Sequence, residues 1–235
     1  MDEVQRIKQV YAKRDVSGKK ELYSFFRDDA LFASQQREAA LIDLLKQYGI
    51  SDLTNASILD VGCGNGSTLR DFLKYGARPE NLHGIDLVSD RLEMAQSLSP
   101  NIDFRCGDAS TLPWEDEKFD LIMQYTVFTS ILDKHMRYKV AAEMLRVLKK
   151  DGLIIWYDYY LNNPKNPDVK GVRKKEIINL FPNCRIFLRK ITIAPPIARL
   201  MAPYSRLLCY LLEKLRILNT HYLGGIKKNK QASKD

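Results

Sequence analysis

Apolar residues in this chain follow two rhythms. Five short runs, SILDV (57–61), LHGIDL (82–87), IDFRC (102–106), FDLIMQ (119–124) and GLIIWYD (152–158), have the length and composition of buried strands. Between them apolar positions recur at helical spacing. Leu69, Phe72 and Leu73 mark one helix, and Leu92, Met94 and Ala95 a second, with Ser89 as its expected N-cap. Val140, Ala141, Met144, Leu145 and Leu148 mark a third, which Asp151-Gly152 is expected to end. Upstream, residues 30–50 read as a helix closed by Gly49. Strand and helix in alternation predict βαβ units and a parallel sheet covered on both faces.

After residue 158 the rhythm changes. LNNPKNP (161–167) reads as a turn-rich loop, VRKKEIINLF (172–181) as a short basic helix and RIFLRKITI (185–193) as a strand. Residues 194–219 read as helix broken at Pro195, Pro196 and Pro203, and HYLGGIKK (221–228) as a closing strand. The expected organisation is one α/β domain over residues 1–235. It comprises an N-terminal helical segment (1–54), a core (55–160), a helical cap (194–219) inserted between the last two strands, and a basic tail (227–235).

Chemistry enters at ILDVGCGNGSTL (58–69). Gly62, Gly64 and Gly66 lie between a predicted strand and a predicted helix, the context in which a glycine-rich loop binds a nucleotide. Three features narrow the ligand. Asp60, just before the glycines, would repel a pyrophosphate but suits an ammonium or sulfonium group. Ser67 stands where a dinucleotide fold needs its third glycine, and no GK[ST] follows to make a P-loop. Asp86 ends the second strand, where a carboxylate can take both ribose hydroxyls, and Asp108 follows the third, placed to accept from an adenine amino group.

ILDVGCGNG, the later GID and then GDASTLPWEDEKFDLIM together resemble the class I S-adenosylmethionine-dependent methyltransferases over roughly residues 55–160. The resemblance implies a Rossmann-like, doubly wound sheet of seven strands with the last antiparallel, and S-adenosyl-L-methionine as cofactor. It implies that Asp60 and the loop backbone hold the methionine end, Asp86 the ribose, and Asp108 with Ala109 the adenine. RIFLRKITI and HYLGGIKK fit the final two strands.

The methyl acceptor is expected over the ends of strands four and five. Strand four ends in MQYTVF, without the Asn/Asp-Pro-Pro-aromatic turn of amino-methylating nucleic-acid enzymes and without a Pro-Cys nucleophile. Gln124 there either polarises the cofactor's methionine end or caps the loop. Strand five ends in WYDYY, where Asp158 either orients or deprotonates a hydroxyl or caps the next turn; Trp156 and Tyr159 either wall the substrate or pack the core. Of three histidines, His83 reads as structural and His135 as a helix-start surface residue; His221 is the candidate general base. The segments from WYDYYLNNPKNPDVKG to THYLGGIKK also resemble a bacterial methyltransferase subgroup associated with cell-surface polysaccharide assembly. The expected reaction is O-methylation of a sugar hydroxyl on a surface glycan or its precursor. The alternatives are a small aromatic or lipid-like metabolite, or RNA.

Charge sharpens the partner. Residues 1–150 hold 21 Lys and Arg against 23 Asp and Glu, whereas residues 151–235 hold 16 against 6. A basic C-terminal third suggests an anionic acceptor, with Lys170, Arg173, Lys174, Arg185, Arg189 and Arg199 as candidate contacts. Leu207, Leu208, Leu211, Leu212 and Leu215, with Arg206, Lys214 and Arg216, form either a peripheral membrane contact within 204–218 or an apolar face folded onto the sheet. Cys63, Cys106, Cys184 and Cys209 are far apart, with no metal-site spacing, and the charged N-terminus lacks a secretory pattern. These features predict a cytoplasmic protein without a metal site, membrane-peripheral if the leucine helix makes that contact.

Overall fold

In the computed structural model, which describes residues 2–16, 24–164 and 166–229, a seven-stranded sheet runs through the centre. The strands are β1 (Ile58–Val61), β2 (Leu82–Asp86), β3 (Asp103–Cys106), β4 (Phe119–Tyr125), β5 (Leu148–Tyr159), β6 (Cys184–Ile193) and β7 (Asn219–Lys228), in the spatial order β3-β2-β1-β4-β5-β7-β6. The first five pair in parallel, and β7 runs antiparallel between β5 and β6. This is the Rossmann-like, doubly wound architecture that the resemblance implies. Among the described residues, eight helices flank the sheet: α1 (Glu3–Val16), α2 (Asp28–Gln47), α3 (Ser67–Lys74), α4 (Ser89–Leu98), α5 (Lys134–Val147), α6 (Lys174–Leu180), α7 (Pro195–Met201) and α8 (Arg206–Leu215).

Side-chain alternation along the strands divides the interior in two. Leu59, Val61, Ile85, Ile122, Ile154 and Trp156 share one apolar cluster with Val140, Ala141 and Met144 of α5, Ile177 of α6 and Ile7 of α1. Ile58, Leu82, Met123, Ile155, Tyr157 and Leu223 share the other with Leu41, Leu44 and Leu45 of α2 and Leu69 and Phe72 of α3. Arg137, buried on α5, pairs with Glu176 (2.5 Å) and donates to the Ile131 and Lys170 carbonyls, tying α5 and α6 to the segments that precede each of them.

Three local expectations need correction. The third helix ends at Val147, and Leu148 already pairs with Phe119 as the first residue of β5. A register shift between Phe119 and Leu121 lets LKKDG enter the sheet, so strand pairing outweighs the helical spacing of Leu148. Ser89 is the first residue of α4 and bonds Asp90, while Asp86 Oδ1 accepts the Val88 amide (2.9 Å). Lys227 and Lys228 belong to β7 and not to a tail, and residues 230–235 of the expected basic tail lie outside the described residues.

β7 is squeezed between two neighbours, so its glycines are steric necessities. Gly224 pairs with both Trp156 and Leu188, and a Cβ there would run into the Phe187 carbonyl and the Leu188 side chain. Backbone cannot step aside as a flexible side chain can. Gly224→Ala should therefore lower unfolding stability by about 1–3 kcal/mol, read as a reduced denaturant midpoint with an unchanged slope.

Candidate functional site

Three glycines in left-handed conformations shape the turn after β1: Gly62 (φ 73°), Gly64 (φ 53°) and Gly66 (φ 74°). The amides of Gly62 (2.8 Å) and Cys63 (3.1 Å) both donate to the Ile85 carbonyl, folding the loop over the end of β2. Asp86 fixes the next step, its Oδ2 accepting from the Gly64 amide (2.8 Å). A Cβ on Gly62 would collide with Val127, and one on Gly66 would lie 2.7 Å from the Phe104 ring. At Gly64 a Cβ would meet open space, so its backbone faces a region a ligand can enter.

Asp60 lies beneath this turn, 2% exposed, and its Oδ1 has no hydrogen-bond partner. Burial, with Asp86 nearby adding negative charge, pushes its carboxyl well above the usual range. Leaving such an oxygen unbonded costs about 1–3 kcal/mol. A cationic ligand group with N–H donors would relieve both the missing bond and the uncompensated charge. Gln124, one strand over, splits its roles: Oε1 accepts from the Val127 amide (3.1 Å), capping the loop, while Nε2 is buried without a partner. At the third strand end Asp108 Oδ1 accepts from the Ser110 amide (2.8 Å), and Ala109 packs against the first apolar cluster.

α1 lies across these loops. Arg6 donates to the Ser130 carbonyl (2.6 Å), Tyr11 bonds the Ser130 hydroxyl (3.0 Å) and Arg91 sits over the Tyr11 ring. The donor set thus fits S-adenosylmethionine: an unpaired carboxylate for the amino group, a glycine backbone open to solvent, and carboxylates at the ends of β2 and β3. Among the described residues no group of three His, Cys, Asp or Glu side chains is placed to hold a metal ion.

The two candidate catalytic residues fall on opposite faces of the sheet. Asp158 shares its face with Trp156 and accepts from the Thr129 amide (3.1 Å), the Thr129 hydroxyl and the Tyr159 amide (2.8 Å). Burial raises its carboxyl to about 7. In this position it anchors the loop after β4. Trp156 is a core residue, packed between Phe128 and Phe181.

His221 faces the other way, stacked on Tyr157 (ring centroids 4.6 Å apart, 4° between planes) and against Tyr159. Its Nδ1 is 2.9 Å from the Thr220 hydroxyl, which itself donates to the Thr192 carbonyl (3.2 Å). A hydroxyl has one proton and a carbonyl none, so Thr220 accepts from Nδ1–H and the Nε2 lone pair is left as a base. Burial, reinforced by the Arg37 charge, pushes the imidazole down to about 3 and keeps it neutral.

Arg37 was not among the expected site residues. Its guanidinium lies 5.7 Å from the Tyr125 ring centroid and 5.6 Å from that of Tyr157, and the buried Tyr125 hydroxyl has no partner. The signal was present in the helix spacing: Arg37 precedes Leu41 by four residues and Leu44 by seven, on the stripe that faces the sheet. The six cations expected as acceptor contacts are dispersed. Arg189 is turned onto the Ala40 carbonyl, Arg199 pairs with Asp29, and Arg185, second in β6, lies opposite Lys227. Lys170, Arg173 and Lys174 lie at and before α6.

Residues 58–152 match the model of a methyltransferase domain family. A phthiotriol/phenolphthiotriol dimycocerosates methyltransferase of Mycobacterium tuberculosis is 32% identical over 139 residues, covering 58% of this chain and 50% of that protein. The ubiquinone/menaquinone biosynthesis C-methyltransferase of Campylobacter jejuni is 27% identical over 151 residues, 63% of this chain and 61% of that protein. The chain thus spans about half the length of the first of these relatives. In fold it resembles the geranyl diphosphate C-methyltransferase of Streptomyces coelicolor, solved with S-adenosyl-L-homocysteine (TM-score 0.59, 12% identity, 82% of this chain and 81% of that one). These likenesses are to methyltransferases, in sequence over residues 58–152 and in fold over about four fifths of the chain.

The buried imidazole has a measurable consequence. It titrates near 6.5 in the unfolded chain and near 3 in the folded one, so between those values the unfolded state binds the extra proton. His221 therefore withdraws stability as pH falls from 6.5 towards 3. In thermal melts from pH 7.5 to pH 4.5, the difference in Tm between wild type and His221→Gln should shift in favour of the variant. A pH-independent difference would contradict this placement.

Proposed function

We propose that this chain is an S-adenosylmethionine-dependent methyltransferase that methylates a hydroxyl oxygen. The observation that carries the cofactor reading is Asp60, a buried carboxylate with an unbonded oxygen at the foot of a glycine turn whose Gly64 backbone is open. S-adenosylmethionine, when bound, supplies an electrophilic methyl group on a sulfonium. The residues of the chain do the rest. Asp60, with the unpartnered Gln124 Nε2, orients the methionine end, Asp86 holds the ribose hydroxyls, and Asp108 with Ala109 takes the adenine. His221 is proposed to accept the acceptor's hydroxyl proton at Nε2, because Thr220 holds the other ring nitrogen in its protonated form; with the imidazole at about 3 in the empty protein, this requires that bound ligands offset its burial and the Arg37 charge. Asp158 serves by fixing Thr129 and the loop after β4.

For the acceptor, a sugar hydroxyl of a surface glycan or its precursor is supported by the excess of cations in the C-terminal third. A lipid-like acceptor is favoured by a different observation, the outward-facing leucines of α8. The names of the M. tuberculosis and C. jejuni relatives, which point to phthiotriol lipids and quinones, agree with that second reading. A donor-consumption screen over nucleotide sugars, glycan fragments, lipid-like phenols and RNA separates the two.

The cofactor role is tested by calorimetry with S-adenosylhomocysteine. Asp60→Asn keeps the shape and removes only the charge, so it should weaken binding at least about tenfold while leaving the apo protein as stable or more stable. Asp86→Ala should weaken it further, since it also releases the Gly64 and Val88 amides. Unchanged affinity in Asp60→Asn refutes the assignment. With a turning-over acceptor, His221→Gln should lower kcat on the order of 100-fold with little change in cofactor affinity; near-normal turnover excludes it as the base.

A further inference from the structure

We propose that the cap formed by α7 and α8 docks the protein on an anionic membrane surface. The inference is independent of the acceptor and rests on how the cap is oriented. Its inner face is already satisfied: Ala198, Ala202 and Cys209 are buried with Phe32 and Ile193, and Leu212 packs against them. Glu213 is also turned inward, accepting from the Thr192 amide (3.1 Å). The outer face holds Leu207, Leu211 and Leu215 at i, i+4 and i+8, exposed by 68%, 52% and 62%. Leu200, Tyr204, Leu208 and Ile217 extend it. A stripe of large apolar side chains this exposed is unusual on a fully solvated helix and needs a partner.

Charge selects that partner. Between residues 195 and 218 the charged side chains are Arg199, Arg206, Glu213, Lys214 and Arg216. Because Glu213 is buried, every exposed charge on the cap is positive. Two of these cations fasten the cap to the start of α2, where Arg206 pairs with Asp28 (2.7 Å) and Arg199 lies 3.5 Å from Asp29. Phe25 and Phe26, both highly exposed, immediately precede that same helix in the chain. Lys214 sits over the Tyr210 ring and Arg216 caps the end of α8. An apolar stripe flanked by cations matches the acyl–headgroup boundary of an anionic leaflet. A second copy fits less well, since a two-fold contact would set the same cations against one another.

The test is co-sedimentation of the full chain with vesicles of phosphatidylcholine alone and of phosphatidylcholine mixed with phosphatidylglycerol. Binding is expected to the mixed vesicles, weakening with salt. Leu207→Ser/Leu211→Ser/Leu215→Ser should lower the partition coefficient more than about tenfold, and Lys214→Gln/Arg216→Gln about fivefold per cation. Both variants should keep the wild-type Tm and S-adenosylhomocysteine affinity, because the substituted side chains point outward. Failure of the wild type to bind mixed vesicles, or equal binding by the leucine variant, overturns the proposal. So does sedimentation velocity showing that the leucines hold a dimer while vesicle binding is unaffected.

Discussion

The turn between β1 and α3 depends on a single shared acceptor, the Ile85 carbonyl, which takes the amides of Gly62 and Cys63. That pairing forces the chain back over β2 and brings the Gly64 amide onto Asp86. Only left-handed backbone can make the bend, which is why glycine occupies the φ-positive positions 62, 64 and 66. The result places two carboxylates, Asp60 and Asp86, at adjacent strand ends, where burial, with the charge of Asp86 adding to it, disfavours ionisation of Asp60. A protein tolerates such an arrangement when a ligand supplies the missing donors and positive charge.

Strand alternation separates the two candidate catalytic residues. The face packed by α5 and α6 is committed to structure: Trp156 fills the core, and Asp158 is bonded to the loop after β4. The face packed by α2 and α3 gathers Tyr125, Tyr157, His221 and, from α2 itself, Arg37. The Arg37 guanidinium lies among the tyrosines, with Asp71 and Glu38 lining the same cleft, and its charge helps keep the nearby imidazole neutral.

The cap follows another economy. β6 and β7 are joined through two helices instead of a short hairpin, and those helices bury small residues inward while turning leucines outward. The ion pairs from Arg199 and Arg206 to α2 are surface contacts of modest energy. Orientation of the cap therefore comes mainly from its small-residue inner face, and Lys214 and Arg216 stand at its exposed edge.

Much of this was legible along the chain, because buried parallel strands write themselves as apolar runs and a cofactor turn as spaced glycines and acids. The succession of strands along the chain and the carboxylates near three strand ends follow from those local patterns, and the antiparallel last strand from the motif resemblance. What the one-dimensional pattern did not contain is which side chains meet. LKKDG continues a helical pattern, yet pairing with Phe119 makes Leu148 the start of β5. WYDYY and THY place acid and base near the same edge, but a period of two residues per strand puts Asp158 and His221 on opposite faces. Arg37 looked like one charge in a helix until packing set it over two tyrosines from different strands. Composition and local spacing are sufficient for element type and for the glycine turn; register, facing and the partner of each buried charge are decided only when distant segments pack together, since those energies belong to pairs of residues far apart in the chain.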